Sequence, residues 1–246
     1  MKLLIKSRKP RNQAGFTIAE LLIATAVFSV VLLAALAAFL GVGHLFYKGV
    51  SLTSTQNAAT QVLNDMSNSV QSASFVSSPA LSNGYIYTCI GNTRYTYTIS
   101  TANGAAVMAS DGGGLTAGGL QNGDHGGNFG LLKDTLAGST TCSPPCAPGG
   151  GCADPLNPNT SVEMLGQNMR VENLFITGAN CSSSTLYNIN LWVAYGDNSV
   201  FNYSNGPASP CGGVAPNKTL TCAGGQSSQA FCAVVNLSTT ISSGTS

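Results

Sequence analysis

The chain has 246 residues, 43% of them hydrophobic and only 8% charged, with Lys+Arg 10 against Asp+Glu 9 and a formal net charge of +1. This is the composition of a globular protein with an unusual surface, long enough for one large domain or two small ones. Five basic residues (Lys2, Lys6, Arg8, Lys9 and Arg11) precede Gly15, so beyond it five Lys/Arg face nine Asp/Glu, a balance of −4 that offers no overall basic footprint for nucleic acid and leaves only a local patch as a way to bind it.

The basic leader sets topology. Positive charge stays cytoplasmic, so the N-terminus points inward and everything after about residue 43 is exported. From Leu21 to about Gly43 there is no Asp, Glu, Lys or Arg, and Glu20 stands alone at the head of that run. A carboxylate at mid-membrane costs about 2.5–3.5 kcal/mol on insertion scales and less near the interface, so a retained one points to function. The run is long enough to span a bilayer, and a helix satisfies its two hydroxyls, Thr25 and Ser29, internally.

The helical pattern continues without Pro from Phe16 to about Phe75. After Lys48 it becomes amphipathic, with Ala59, Val62, Leu63, Met66 and Val70 at three- and four-residue steps among polar residues. At 1.5 Å per residue such a helix is a rod of roughly 90 Å, half in lipid and half packed on an exported domain. Gly41 and Gly43 permit a bend at the junction. Ser77-Ser78-Pro79 ends the helix, because the residue before Pro is pushed out of the α region.

Beyond Pro79 the reading is β. Tyr85–Ile90 and Thr93–Ile99 alternate on either side of Gly91-Asn92, a loop suited to a hairpin. Further strands are expected at Arg170–Thr177, Leu186–Tyr195, Val200–Tyr203 and Phe231–Thr240. Residues 103–128 and 138–160, rich in Gly and in Gly, Pro, Ser and Cys respectively, read as long surface loops. All eight cysteines (Cys89, Cys142, Cys146, Cys152, Cys181, Cys211, Cys222 and Cys232) lie in the exported part, where an even count reads as disulfides.

The stretch Gly15-Phe16-Thr17-Ile18-Ala19-Glu20-Leu21-Leu22, behind its basic leader and ahead of the apolar helix, resembles the class III signal of type IV pilins and type II secretion pseudopilins. The resemblance implies cleavage after Gly15 by a membrane aspartyl peptidase, then methylation of the new amino group at Phe16. It also implies that the Glu20 carboxylate pairs with the amino terminus of an adjacent subunit, neutralising both charges as the helix leaves lipid for a filament core. Small residues in the run, such as Ala24, Ala26 and Ala34, permit close helix approach.

The fold expected is α+β: a long N-terminal helix, transmembrane in its first half, packed on an antiparallel β-sheet with long disulfide-tethered loops. Its divisions are a leader at 1–15, a membrane and filament-core helix at 16–43, an amphipathic half-helix at 44–78 and an extracytoplasmic β-rich pilin domain at 79–246. The implied location is the cytoplasmic membrane in a single pass, then a pilus at the cell surface. Implied partners are other pilin subunits through the N-terminal helix, the prepilin peptidase/methyltransferase, the pilus assembly platform and the membrane; nucleic acid, cofactor and metal are not expected. Cys222 and Cys232 are the first pair expected, resembling the C-terminal disulfide-bounded loop of many pilins, although eight cysteines allow about 105 connectivities.

The chain lacks the Pro near residue 37 that kinks many major pilins, and residues 16–246 make a large mature chain. Size and elaborate loops favour a minor pilin or a J-type pseudopilin over a shaft subunit, while Glu20 argues against the K type, which lacks that acid. Adhesive or DNA-uptake pilins and a membrane-anchored exported enzyme are the other readings. An ordinary signal peptide cut after Ala35-Leu36-Ala37 competes, but such signals carry no acid at the head of their apolar run.

Other candidate chemistry is thin. Cys142, Cys146 and Cys152 match no zinc spacing. Asp124-His125 and His44 accompany no nucleophile elbow or H-E-x-x-H, and Gly112-Gly113-Gly114 lacks the Lys-Ser/Thr of a phosphate loop. Asp111, Asp124, Asp134 and Asp154 have no calcium-loop spacing and read as solvated loop acids.

Overall fold

The computed structural model describes residues 15–82, 85–98, 130–136, 142–145, 161–178, 185–197, 200–205, 218–225 and 231–244. A single helix, α1, runs from Ile18 to Ser72 and passes through Gly41 and Gly43 without interruption. The chain divides into two compact units between Gly43 and His44.

In the first unit every residue from Gly15 to Val42 is exposed. Its hydroxyls turn back on the helix: Thr25 Oγ1 donates to Leu22 O at 3.0 Å and Ser29 Oγ to Thr25 O at 2.8 Å. The backbone is thus closed on itself and the side chains are apolar, which is what a span in hydrocarbon requires.

In the second unit α1 buries Ser51, Thr55, Ala59, Val62, Leu63, Met66 and Val70, one stripe at helical spacing. This stripe shares a core with Ile86, Ile90, Tyr95, Tyr97, Leu174, Ile176, Leu191 and Val193 from the strands. Each large apolar side chain buried there stabilises the fold by roughly 1.5–3 kcal/mol. The two polar members fit because Thr55 Oγ1 donates to Ser51 O at 2.7 Å and Ser51 Oγ to Lys48 O at 3.1 Å.

The helix stops at Ser72, earlier than its pattern suggests, because the next residues pair with the sheet. Gly91 N donates to Phe75 O and Ser77 N to Cys89 O, each at 2.8 Å, and Val76 bridges Ile90. Tertiary pairing therefore overrides the helical continuation. Gly91 adopts φ 57° at the first loop position of the hairpin, where a II′ turn calls for Gly.

Five antiparallel strands in sequential order form the first sheet: β1 (Ala80–Ser82), β2 (Tyr85–Ile90), β3 (Thr93–Thr98), β4 (Leu132–Thr135) and β5 (Val162–Glu163). β6 (Met169–Gly178) pairs antiparallel with β7 (Leu186–Tyr195). A separate ribbon of β8 (Phe201–Asn205) and β9 (Lys218–Cys222) follows, and β10 (Ala233–Ser242) then returns along the free edge of β7. The fold is thus a long helix packed against antiparallel sheet, with ten strands in three sheets among the described residues.

A bulge in β6 decides which residues reach the core. Register shifts between Val171 and Asn173, so Glu172 is the extra residue. Val171 faces the core before the bulge, and Leu174 and Ile176 face it afterwards. The other side of this end of the sheet is covered by the β8–β9 ribbon, where Ala194, Phe201, Leu220 and Cys232 form a second cluster.

Candidate functional site at the head of the helix

Thr17 and Glu20 build the start of α1. Thr17 is the N-cap: Leu21 N donates to Thr17 O at 3.2 Å, the first helical bond, and Glu20 N donates to Thr17 Oγ1 at 3.3 Å. Glu20 reciprocates, its Oε2 accepting from Thr17 N and from Thr17 Oγ1, both at 2.9 Å. This is a capping box, T-x-x-E, which answers two otherwise orphaned backbone donors. Reading the sequence for charge alone missed it, although the three-residue spacing of Thr17 and Glu20 was there to be seen.

The box lies wholly after the Gly15–Phe16 bond, and Glu20 is fully exposed. Phe16 is 84% exposed. A Cβ added at Gly15 meets nothing within 4 Å, and Gly15 shows no positive φ. Nothing within the described chain therefore demands glycine at this position.

The charges of the second unit behave differently, because they find partners within the chain. Arg94 Nη2 and Asp134 Oδ2 lie 2.5 Å apart with both side chains buried, and Arg94 Nε donates to Asp134 Oδ1 at 3.1 Å. Asp134 is therefore no solvated loop acid but a buried residue of β4, on the face of the sheet opposite the helix-side Lys133, held there by strand pairing that sets it opposite Arg94 on β3. Lys133 Nζ reaches Asp65 Oδ1 on the helix at 2.7 Å, and Tyr95 OH donates to Asp65 Oδ2 at 2.7 Å. Burial raises the Tyr95 phenol well above its ordinary pKa, keeping it a donor.

The Glu163 carboxylate accepts from the backbone N–H groups of Gly130, Leu131 and Leu165 at 3.0, 2.9 and 3.0 Å. Glu172 Oε1 accepts from Leu220 N across the sheet–ribbon boundary. Burial raises its pKa from 4.5 to about 7, partly offset by that bond and by the charge of Arg170. Arg170 itself donates to Gly196 O at 2.7 Å and lies 4.9 Å from the centroid of Phe201. These are structural pairings, and among the described residues no group of three or more His, Cys, Asp or Glu is arranged to hold a metal.

Among the described residues two disulfides are formed, Cys89–Cys142 and Cys222–Cys232, the latter being the pair expected first. Arg94 Nη1 donates to Ser143 O at 3.1 Å, so the buried ion pair also secures the irregular segment beside the first disulfide. Cys146, Cys152, Cys181, Cys211, Asp111, Gly112-Gly113-Gly114, Asp124-His125, Asp154 and the leader up to Ala14 lie outside the described residues.

The family motif described as the prokaryotic N-terminal methylation motif matches residues 10–36. No curated protein and no solved structure matches the chain. With that motif at the head of its exposed apolar helix, and with a pilin-like arrangement of helix, antiparallel sheet and disulfide-linked loops behind it, the chain carries the signature of the type IV pilin and pseudopilin family.

Proposed function

We propose that this is a structural minor pilin-like subunit, cut after Gly15, methylated at Phe16 and assembled from the membrane into a type IV pilus filament or its initiating tip. The observation that carries the reading is a single carboxylate, Glu20, at the head of a helix whose next two dozen or so residues are exposed, apolar and uncharged. A helix of that kind has two environments open to it, lipid and the packed helices of a filament. Gly15 supports recognition from outside, since its own chain leaves room for a larger residue; a peptidase cleft that needs close backbone approach supplies the missing reason.

In this account cleavage creates an ammonium at Phe16 and leaves the capping box intact. Thr17 then holds Glu20 at a fixed place near the head of the helix. The ammonium of a neighbouring subunit completes the pair in a medium where neither charge is stable alone. The chain departs from the bilayer neutralised and enters the filament through residues 16–43.

A J-type pseudopilin of a type II secretion machine shares each of these features, and copurification with the subunits of one machine or the other separates them. The DNA-uptake reading loses ground. Past Gly15 the basic residues are Lys48, Arg94, Lys133, Arg170 and Lys218, of which Arg94 and Arg170 are buried and Lys133 is paired with Asp65.

The test is the N-terminus of the protein recovered from a host with a working prepilin peptidase. N-methylated Phe16 is expected. A start at Ala38 means ordinary secretion, and retention of Met1 overturns the proposal.

A further inference from the structure

A strand at the margin of a sheet carries a row of unpaired N–H and C=O groups, and natural sheets blunt such margins with brevity, bulges, charge or proline. The five-stranded sheet ends in β1 and β5, of three and two residues. In the three-stranded sheet β6 carries the Glu172 bulge, whereas β10 runs ten residues in unbroken register with β7. From Asn236 to Ser242 it reads Asn-Leu-Ser-Thr-Thr-Ile-Ser, without charge, proline or glycine. Among the described residues no strand pairs with its other side. β10 is thus an undefended margin.

Hydrogen bonding shows which groups that margin offers. Ser243 N donates to Thr185 O at 2.7 Å, one step beyond the Ser242–Leu186 pair, and bonded pairs alternate with unbonded ones in an antiparallel ladder. The odd-numbered residues of β10 therefore bond β7, while Asn236, Ser238, Thr240 and Ser242 turn their backbone groups outward. Gly244 N, next in that outward series, donates to Gln71 O at 3.1 Å, so the margin looks toward α1.

Between the two lies a groove of about 630 Å³, lined on one side by Asn64, Asn68 and Gln71 of the helix and on the other by Thr240 and Ser242. Its volume falls within the range of ligand clefts, about 300–1,000 Å³. Among the described residues that line it there is no ring to stack on a sugar and no counter-charge for an ion. Asp65, the one charged residue of the helix between Lys48 and Ser72, is taken by Lys133 and Tyr95 on the other sheet. An incoming strand would bond β10 along one side and be left with its own far side open. Asn64, Asn68 and Gln71, exposed at four- and three-residue steps on one helix face, answer that side too, because a carboxamide both donates and accepts.

We infer that the groove between β10 and α1 is a docking site for an extended, uncharged polypeptide segment of a partner, which joins the sheet as a strand beside β10. Gly244, donating to the helix from the same outward series, shows the arrangement on a small scale. The inference goes beyond the proposed function and depends only on the unit from His44 onward, so it stands or falls apart from processing and membrane insertion.

The experiment uses the full detergent-solubilised chain and a phage-displayed library of random linear heptapeptides. In the chain alone, amide hydrogen exchange read by NMR is expected to be fast at Ser238 and Thr240 and slow at Thr239 and Ile241. Slow exchange at all four overturns the inference, because the margin is then already covered. Selected peptides are expected to slow Ser238, Thr240 and Ser242. They should bind about tenfold more weakly to Thr240→Pro, which removes one outward N–H and no bond to β7, and to Asn68→Trp, which fills the groove from an exposed helix position and keeps the test open should the proline disturb the strand. If no peptide is enriched, or if enriched peptides bind the folded variants as well as the parent, the inference falls. Maltohexaose that shifts the side-chain amides of Asn64, Asn68 and Gln71 where the peptides do not overturns it in favour of a glycan.

Discussion

The two ends of α1 treat charge in opposite ways. Residues 18–43 carry one charged group, Glu20, at an exposed helix start. The second unit buries Arg94, Asp134, Arg170 and Glu172 and pairs Asp65 with Lys133. In the first region the physics of the sequence refers to something outside the chain, a bilayer or a second copy. In the second, charge is an internal fastener that joins helix to sheet, strand to loop stem, and sheet to ribbon.

Substitutions at single charges should separate the regions cleanly. The largest effect is expected from Glu20→Ala: incorporation into filaments falls to background in an immunoblot of sheared fibres, while insertion, processing after Gly15 and the thermal midpoint of the detergent-solubilised chain stay as in the parent. Normal incorporation would falsify the assembly role. Asp134→Ala should do the reverse, leaving Arg94 charged, buried and unanswered at a cost of about 3–5 kcal/mol in urea unfolding of the solubilised chain. The double variant Arg94→Met/Asp134→Leu recovers most of that loss if the penalty is the stranded charge, and does not if the pair itself is indispensable.

A smaller effect is expected with pH. Burial raises the pKa of Glu172 from 4.5 to about 7, so the folded chain binds more protons than the unfolded chain between these values. Stability from this group is then fully present below the unfolded pKa and is lost as pH rises through about 7, by roughly 3 kcal/mol overall. Urea midpoints measured across that window should fall with rising pH, and Glu172→Gln should flatten the slope. Least of all, Thr17→Ala removes the capping hydroxyl at a cost of about 0.5–2 kcal/mol, seen as faster amide exchange in the first turn of α1 with the β-domain unaffected.

Much of this was legible because it depends on periodicity. Ala59, Val62, Leu63, Met66 and Val70 all fall on the buried stripe, and the β7 limits, Leu186–Tyr195, match the alternation of the sequence. What escaped depends on partners remote in sequence. β4 reads as Leu-Lys-Asp-Thr, hardly a strand, because its helix-side position is a lysine held by Asp65 and a buried position on its other face is an aspartate whose arginine lies forty residues earlier. β9 and the short β1 and β5 give too few residues for a pattern. The β6 bulge at Glu172 reverses the inward set midway along the strand, and alternation cannot announce its own interruption. At the candidate site Gly15, Phe16 and Glu20 could be picked out, but the Thr17 side of the capping box required the three-residue relation rather than the charge.

The clamp around Arg94 and Glu163 bears on inheritance. Residues 99–129 depart from β3 and re-enter at β4, and residues 146–160 intervene between the Cys142–Pro145 segment and β5. Their stems are fixed by the Cys89–Cys142 bond, by Arg94 on Ser143, and by Glu163 on Gly130 and Leu131. Doubling the length of either insertion adds only about 0.6 kcal/mol of closure entropy. A lineage is thereby free to lengthen, shorten or rewrite both insertions without disturbing the clamped stems, so that these two stretches and the scaffold that anchors them can evolve on different clocks.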